Sequence, residues 1–191
     1  MLENLKKYDV VLASNSPRRR ELLSELGVNY RVELIKGLEE SHPDGMPANE
    51  VAEYLSRQKA AAYRLRPNEL LITADTVVIL DGEILGKPHD EAEACEMLRR
   101  LSGRTHSVIT GVTVVTAAGM QSFSDEALVE FDVLDEAEID YYVRHYRPLD
   151  KAGAYGIQEW IGYMGVKRLD GSFFTVMGLP VHRLYQLLKT L

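Results

Sequence analysis

Eleven consecutive residues at 70–80, LLITADTVVIL, carry a single charged side chain, Asp75. A run this apolar, rich in β-branched residues and followed by the turn pair Asp81-Gly82, reads as a central strand. A carboxylate inside such a strand is costly unless it finds a partner. Alternation sends Asp75 to one face and its neighbours Ala74 and Thr76 to the other. Four apolar residues follow it, Val77 to Leu80, so it does not read as a strand end facing solvent. Carboxylates held this way are common where proteins do chemistry, which makes Asp75 the first candidate for a functional residue.

The surrounding pattern alternates strand and helix signals. Val10 to Ala13 reads as a short buried strand. Ser16 offers an N-cap with Pro17 at the first helical position, and Gly27 offers the stop. A half-buried strand is expected over 30–35, a loop over 43–47 and a helix over 48–64. Asp81-Gly82 turns the central strand into a second one at 83–86. Asp90 with Glu93, and Asp135 with Glu138, read as capping boxes of two further helices. The first ends near Leu101 and the second at Pro148. Two long strands, 107–116 and 122–133, flank Ala118-Gly119. A hairpin is expected across Asp170-Gly171, from 163–169 to 172–177, and Pro180 opens a terminal helix. Hairpin spacings interleaved with helices favour an α/β or α+β fold with a mixed sheet over a regular parallel array.

Composition narrows the function classes. The 191 residues include 22 Lys plus Arg and 29 Asp plus Glu, a net charge of −7, which argues against a general nucleic-acid binder. One cysteine, Cys95, excludes an internal disulfide and any cysteine cluster for zinc or iron–sulfur. No apolar run approaches the roughly 20 residues needed to span a membrane, and the N-terminal apolar run is too short for a signal peptide. The expected location is the cytoplasm, with no membrane and no nucleic-acid polymer as partner.

The polar candidates point to phosphate chemistry. Ser14 to Arg20, SNSPRRR, lies between a buried strand and a capped helix. The first helical turn presents free N–H groups and the positive end of the dipole. Arg18 and Arg19 oppose that dipole, and their placement makes sense if an anion is bound among them. The plain alternative is a solvated basic helix start. Glu39 and Glu40 precede a loop. Lys59 borders the apolar stripe of its helix, where a long stem can reach a cleft, and Lys87 precedes Pro88. Cations suit phosphates, and carboxylates suit a hard divalent cation such as Mg²⁺. This is the set expected of a phosphate-ester or phosphoanhydride hydrolase without a serine or cysteine nucleophile.

Five blocks carry a resemblance: LASNSPRRRELLSELGV, ADTVVILDGEILGKP, LSGRTHSVITGV, PLDKAGAYGIQ and GLP near the end. In order and spacing they resemble the Maf family over nearly the whole chain. The resemblance implies nucleoside triphosphate pyrophosphatases, releasing pyrophosphate and leaving the nucleoside monophosphate. It also implies a single domain over residues 1–191: an elongated mixed sheet with flanking helices and two lobes around a cleft, similar to the inosine triphosphate pyrophosphatases. Asp75 matches the proposed proton acceptor for the attacking water. Arg18, Thr76 and Gln158 match positions linked to substrate selection. Glu40, Lys59 and Lys87 match the residues lining the cleft, while Ser14 and Arg19 fall in the first matched block as further substrate-binding candidates. Glu40 and Asp75 are the expected ligands of a divalent cation, Mg²⁺ or Mn²⁺. Asp75 can act as base, as metal ligand, or as both.

The stretch DKAGAYGIQ resembles the branch acting on dTTP and UTP. The chain then departs from the family, reading EWIGYMGVKRL where a glycine-rich run is more usual, so that Trp160 stands near the base pocket. The family is commonly dimeric, and 10 of the aromatic residues are tyrosines suited to interfaces, so a homodimer is expected. A second reading from another class is a nucleotide-sensing regulator of cell division or septum formation with little catalysis. Asp75 together with Lys59, Lys87 and Glu40 favours the enzyme, since a pure binder has no need of a base.

Overall fold

In a computed structural model, which describes residues 2–38 and 40–191, the apolar run forms the strand expected of it. Asp9–Leu12 is β1, Arg31–Val32 β2, Glu69–Leu80 β3 and Glu83–Leu85 β4. Thr105–Thr116 is β5, Gly119–Phe131 β6 and Val166–Asp170 β7. The helices are α1 Pro17–Glu25, α2 Ala48–Ala61, α3 Glu91–Leu101, α4 Glu136–Tyr146, α5 Trp160–Gly165, α6 Phe173–Met177 and α7 Val181–Lys189. Short 3-10 turns occupy Glu3–Lys7 and Ala152–Ala154.

One seven-stranded sheet has the order β2-β1-β3-β5-β6-β7, with β4 paired to β3. β1 runs parallel to both β2 and β3, whereas β3–β4 and β6–β7 are antiparallel. The sheet is therefore mixed, with helices between its strands, as the patterning implied. Asp81 and Gly82 both take positive φ in the turn between β3 and β4, the conformation that an Asp-Gly hairpin turn requires.

The chain divides into two compact units. The first comprises Met1–Asp75, Thr110–Asp125 and Gly178–Leu191. Its core holds Leu12, Leu23, Leu70, Leu71 and Ile72, all out of contact with water. Ser16 caps α1 by accepting from the Arg19 amide, as its position before Pro17 suggested. α2 lies close to the backbone of β5: a Cβ on Gly111 would stand 2.3 Å from the Glu53 nitrogen and 2.4 Å from the Ala52 carbonyl. Only a residue without a side chain permits that approach. Thr73 of β3 donates to the Ser56 carbonyl at 2.7 Å, and the Ser56 and Thr113 hydroxyls meet at 2.7 Å. These buried bonds fix the rotation and height of α2 against β3.

The second unit comprises Thr76–Ile109 and Glu126–Met177. α3 packs on α4, and Leu98, Leu101, Phe131, Ile139, Tyr142 and Ile161 are buried there. The capping box at Asp135 and Glu138 is complete. At Asp90 only half of it forms: Asp90 accepts from the Glu93 amide, but the Glu93 carboxylate turns to the amide and ring of His89.

Three expectations change. The strand expected over 30–35 is only the pair Arg31–Val32, because regular pairing with β1 stops there. α2 ends at Ala61, short of 64. The hairpin across Asp170-Gly171 does not form. Residues 160–165 are helical, β7 pairs with β6 instead, and residues 173–177 coil into α6, with the Thr175 and Val176 amides donating to the Ser172 carbonyl. A partner strand distant in sequence won over the local turn signal.

Candidate active site

Asp75 closes the first segment of the first unit, Met1–Asp75, and is largely buried. The partner that its burial demanded is Lys59, whose Nζ donates to Asp75 Oδ1 at 2.6 Å. Lys59 is on α2, on the border of the apolar stripe formed by Val51, Ala52 and Leu55. The same Nζ lies 3.0 Å from Glu40 Oε2. One ammonium thus sits between two carboxylates: Lys59 and Asp75 are each about seven-eighths sequestered from water, while Glu40 is open to it. Glu39, the other carboxylate singled out beside Glu40, lies outside the described residues.

Arg19 joins this group. Its Nε donates to the Gly178 carbonyl at 2.7 Å and its Nη1 to the Ala74 carbonyl at 2.9 Å. The guanidinium therefore ties the start of α1 to the strand position just before Asp75 and to the Gly-Leu-Pro segment ahead of α7. Burial lowers its pKa from the ordinary arginine value; Asp75 and Glu40 act in the opposite sense, and Arg18 adds to the lowering. Arginine stays charged throughout. Ser14 is buried, its Oγ accepting from the Ser16 amide at 3.2 Å, and Arg18 is half-buried. Ser14, Arg18, Arg19, Glu40, Lys59 and Asp75 all belong to the first unit.

Thr76, Lys87 and Gln158 belong to the second unit. Lys87 is exposed, and its side chain has no hydrogen bond or ion pair among the described residues. Gln158 is half-buried, and its amide oxygen is sequestered without a hydrogen-bond donor among the described residues. Trp160 meets Tyr141 edge-on, with ring centroids 4.8 Å apart.

The segment carrying Gln158 is held by residues that the sequence pattern did not single out. Tyr142 of α4 accepts from the Gly156 amide at 2.9 Å and donates to Glu159 Oε2. Lys151 stands 3.2 Å from Glu159 Oε1 and 2.7 Å from Asp150. His106 Nε2 lies 2.6 Å from the Tyr155 hydroxyl. Lys151, Tyr155 and Gly156 fall in the matched DKAGAYGIQ block. Tyr142 and Glu159 do not, and nothing in their spacing marks them.

No group of three His, Cys, Asp or Glu side chains among the described residues is arranged to hold a metal ion. Two carboxylates do converge, however: Glu40 and Asp75 on the Lys59 ammonium. Such a pair suits Mg²⁺ or Mn²⁺, which takes its other ligands from phosphates and water. The donor set fits the cation.

A mixed α/β fold with a lysine-bridged carboxylate pair and arginines at a helix start defines a class suited to binding and attacking anions. Residues 9–191 match the family described as Maf-like protein. A dTTP/UTP pyrophosphatase of Phocaeicola vulgatus is 58% identical over 100% of both chains, and one of Bacteroides thetaiotaomicron 57% identical over the same coverage. The chain belongs to the Maf-like protein family. Among solved structures, a HAM1 protein from Coxiella burnetii superposes with a TM-score of 0.54 at 15% identity, covering 96% of this chain and 100% of that one, a likeness of fold. Among the described residues no helix is long and apolar enough to cross a membrane.

Proposed function

We propose that this chain hydrolyses dTTP and UTP between the α- and β-phosphates, yielding the monophosphate and pyrophosphate. The observation that carries the reading is the Glu40–Lys59–Asp75 group, a half-buried carboxylate on a central strand bridged by an ammonium to a second carboxylate. The names of relatives at 57–58% identity support it.

Asp75 takes the proton of the attacking water. One of its two oxygens receives Lys59, leaving the other for that proton. Water adds at the α-phosphorus, the bond to the bridging oxygen breaks, and pyrophosphate departs. Negative charge grows on the departing oxygens, which Lys59, Lys87 and Arg18 are suited to stabilise. Arg19 fixes the backbone ahead of Asp75 while adding positive charge to the phosphate region. Glu40 and Asp75 would hold a divalent cation, which when bound neutralises phosphate charge.

Gln158 reads the base. A uracil or thymine edge offers an N–H donor flanked by two carbonyl acceptors, and a glutamine amide carries one acceptor and two donors. Its oxygen has no donor among the described residues, so an N–H from the base would satisfy it. Cytosine replaces that N–H with an acceptor and one carbonyl with an amino donor, so at least one polar group is left mismatched, which is how a hydrogen-bonding site discriminates. Thr76 is assigned with Gln158 to substrate selection and Ser14 with Arg18 to the phosphates. The reading includes a cytoplasmic homodimer.

The test is pyrophosphate release by purified protein with Mg²⁺ or Mn²⁺ over dTTP, UTP, CTP and GTP. Turnover highest on dTTP and UTP is expected. No turnover on any of the four would refute the enzyme, and preference for CTP or GTP would refute the base assignment.

A further inference from the structure

Glu159 stands just after the matched DKAGAYGIQ block, where the sequence leaves the family pattern, and the structure gives it a place. It occupies the N-cap position of α5, yet its side chain makes no capping hydrogen bond. Its carboxylate is turned to Tyr142 through one oxygen and to Lys151 through the other. The Tyr142 hydroxyl is engaged in both senses: it donates to Glu159 and accepts from the Gly156 amide at 2.9 Å. Burial first, and the Glu159 carboxylate second, push this phenol's pKa up, so it remains a donor at neutral pH. Lys151 is buried, and its ammonium also pairs with Asp150 at 2.7 Å.

The fit around Gly156 shows how closely these groups surround the chain. A Cβ there would stand 2.9 Å from the Glu159 carboxyl carbon and 3.1 Å from Lys151 Cε. The backbone from Lys151 to Glu159 is thus gripped from both ends, and Gln158 is the residue immediately before the grip closes. A partly buried amide turns about its own side-chain bonds, so its aim depends on the backbone that carries it. A displacement of about 1 Å in such a group can cost on the order of 10²-fold in an enzyme.

We propose that Tyr142, Glu159 and Lys151 are positioning residues that hold the Gln158 amide in the orientation that separates uracil and thymine from cytosine. The inference rests on the reading of Gln158 as the group that meets the base. Tyr142 and Glu159 act through the loop and touch no substrate atom.

Steady-state kinetics on UTP and CTP with wild type, Tyr142→Phe, Glu159→Ala, Glu159→Gln and Gln158→Ala test it. Tyr142→Phe and Glu159→Ala should each narrow the UTP-to-CTP ratio of kcat/KM by about tenfold, the equivalent of one buried hydrogen bond to a charged group. The loss should fall on the KM for UTP rather than on kcat. Glu159→Gln keeps an acceptor for the Tyr142 hydroxyl and should retain most of the ratio. A residue that only stabilised the fold would lower the melting temperature and leave KM and the ratio of the folded enzyme unchanged. Wild-type KM and ratio in both Tyr142→Phe and Glu159→Ala, with the ratio lost in Gln158→Ala, overturns the clamp and leaves the base reading standing. A ratio untouched by Gln158→Ala removes the base reading and the clamp together. Should Tyr142→Phe fail to fold, the Glu159 pair decides: equal narrowing in the Ala and Gln variants contradicts the hydrogen-bonded clamp.

Discussion

Acidification from pH 7 to pH 4.5 loads one buried side chain in particular, His106. Only 2% of it is exposed, its Nε2 lies 2.6 Å from the Tyr155 hydroxyl, and the rings of Phe131 and Tyr155 stand 5.3 and 5.4 Å away. Burial alone lowers its pKa from 6.5 to about 4. In the unfolded chain the imidazole takes up a proton near its ordinary pKa, while in the fold it does not until about pH 4. Between these values the unfolded state binds more protons, so stability is full above pH 6.5 and is lost as the pH falls. At about 1.36 kcal/mol per unit, the loss approaches about 3 kcal/mol by pH 4. Glu33, Glu83, Glu93 and Glu136 also lose stabilising pairs in acid, but all four are held below the ordinary carboxylate value of 4.5. Their losses are therefore concentrated lower on the pH scale. Urea unfolding of wild type and His106→Phe at pH 7, 6, 5 and 4.5 isolates the imidazole. Wild type should lose about 2–3 kcal/mol more than the variant over that range. Parallel profiles within about 0.5 kcal/mol, a margin typical of silent substitutions, would refute the reasoning, because His106 would then charge as easily in the fold as outside it.

Three further outcomes follow from the site and its support. Gly111→Ala forces a methyl group against the backbone of α2, so a stability loss of at least about 1–3 kcal/mol is expected in urea unfolding, with turnover falling as Lys59 moves. An unchanged midpoint would contradict the close approach. Lys59→Met keeps the apolar stem and removes the charge shared by Asp75 and Glu40; kcat on UTP should fall on the order of 10²-fold. Lys87→Ala should lower kcat/KM while leaving stability within about 0.5 kcal/mol, since that side chain is exposed and makes no bond among the described residues.

Much of this was legible in the sequence where a local signal had no rival. The apolar run 70–80, the Ser16-Pro17 helix start, the Asp81-Gly82 turn and the Asp135–Glu138 box all formed as their chemistry dictates. Asp75 announced itself by being a charge where a charge is costly, and Lys59 by sitting at the edge of an apolar stripe. Residues 172–177 depart from the strand expected of them because strand pairing is settled by partners far along the chain: β6 pairs with β7 and leaves the Asp170-Gly171 turn without a second strand. The Arg19 bonds to Ala74 and Gly178 join positions 55 and 159 residues apart, which no spacing rule reaches. Tyr142 and Glu159 were invisible for the same reason, since an isolated tyrosine on a helix and a glutamate before a tryptophan carry no periodic mark.

The most direct test of the central claim is the rate of pyrophosphate release from UTP by Asp75→Asn at saturating substrate, with thermal unfolding recorded on the same preparation. Asparagine keeps the shape and removes the base. A folded variant slowed on the order of 10²–10⁴-fold is the predicted result. A folded variant that releases pyrophosphate at close to the wild-type rate would contradict it, and would leave Asp75 as a structural partner of Lys59.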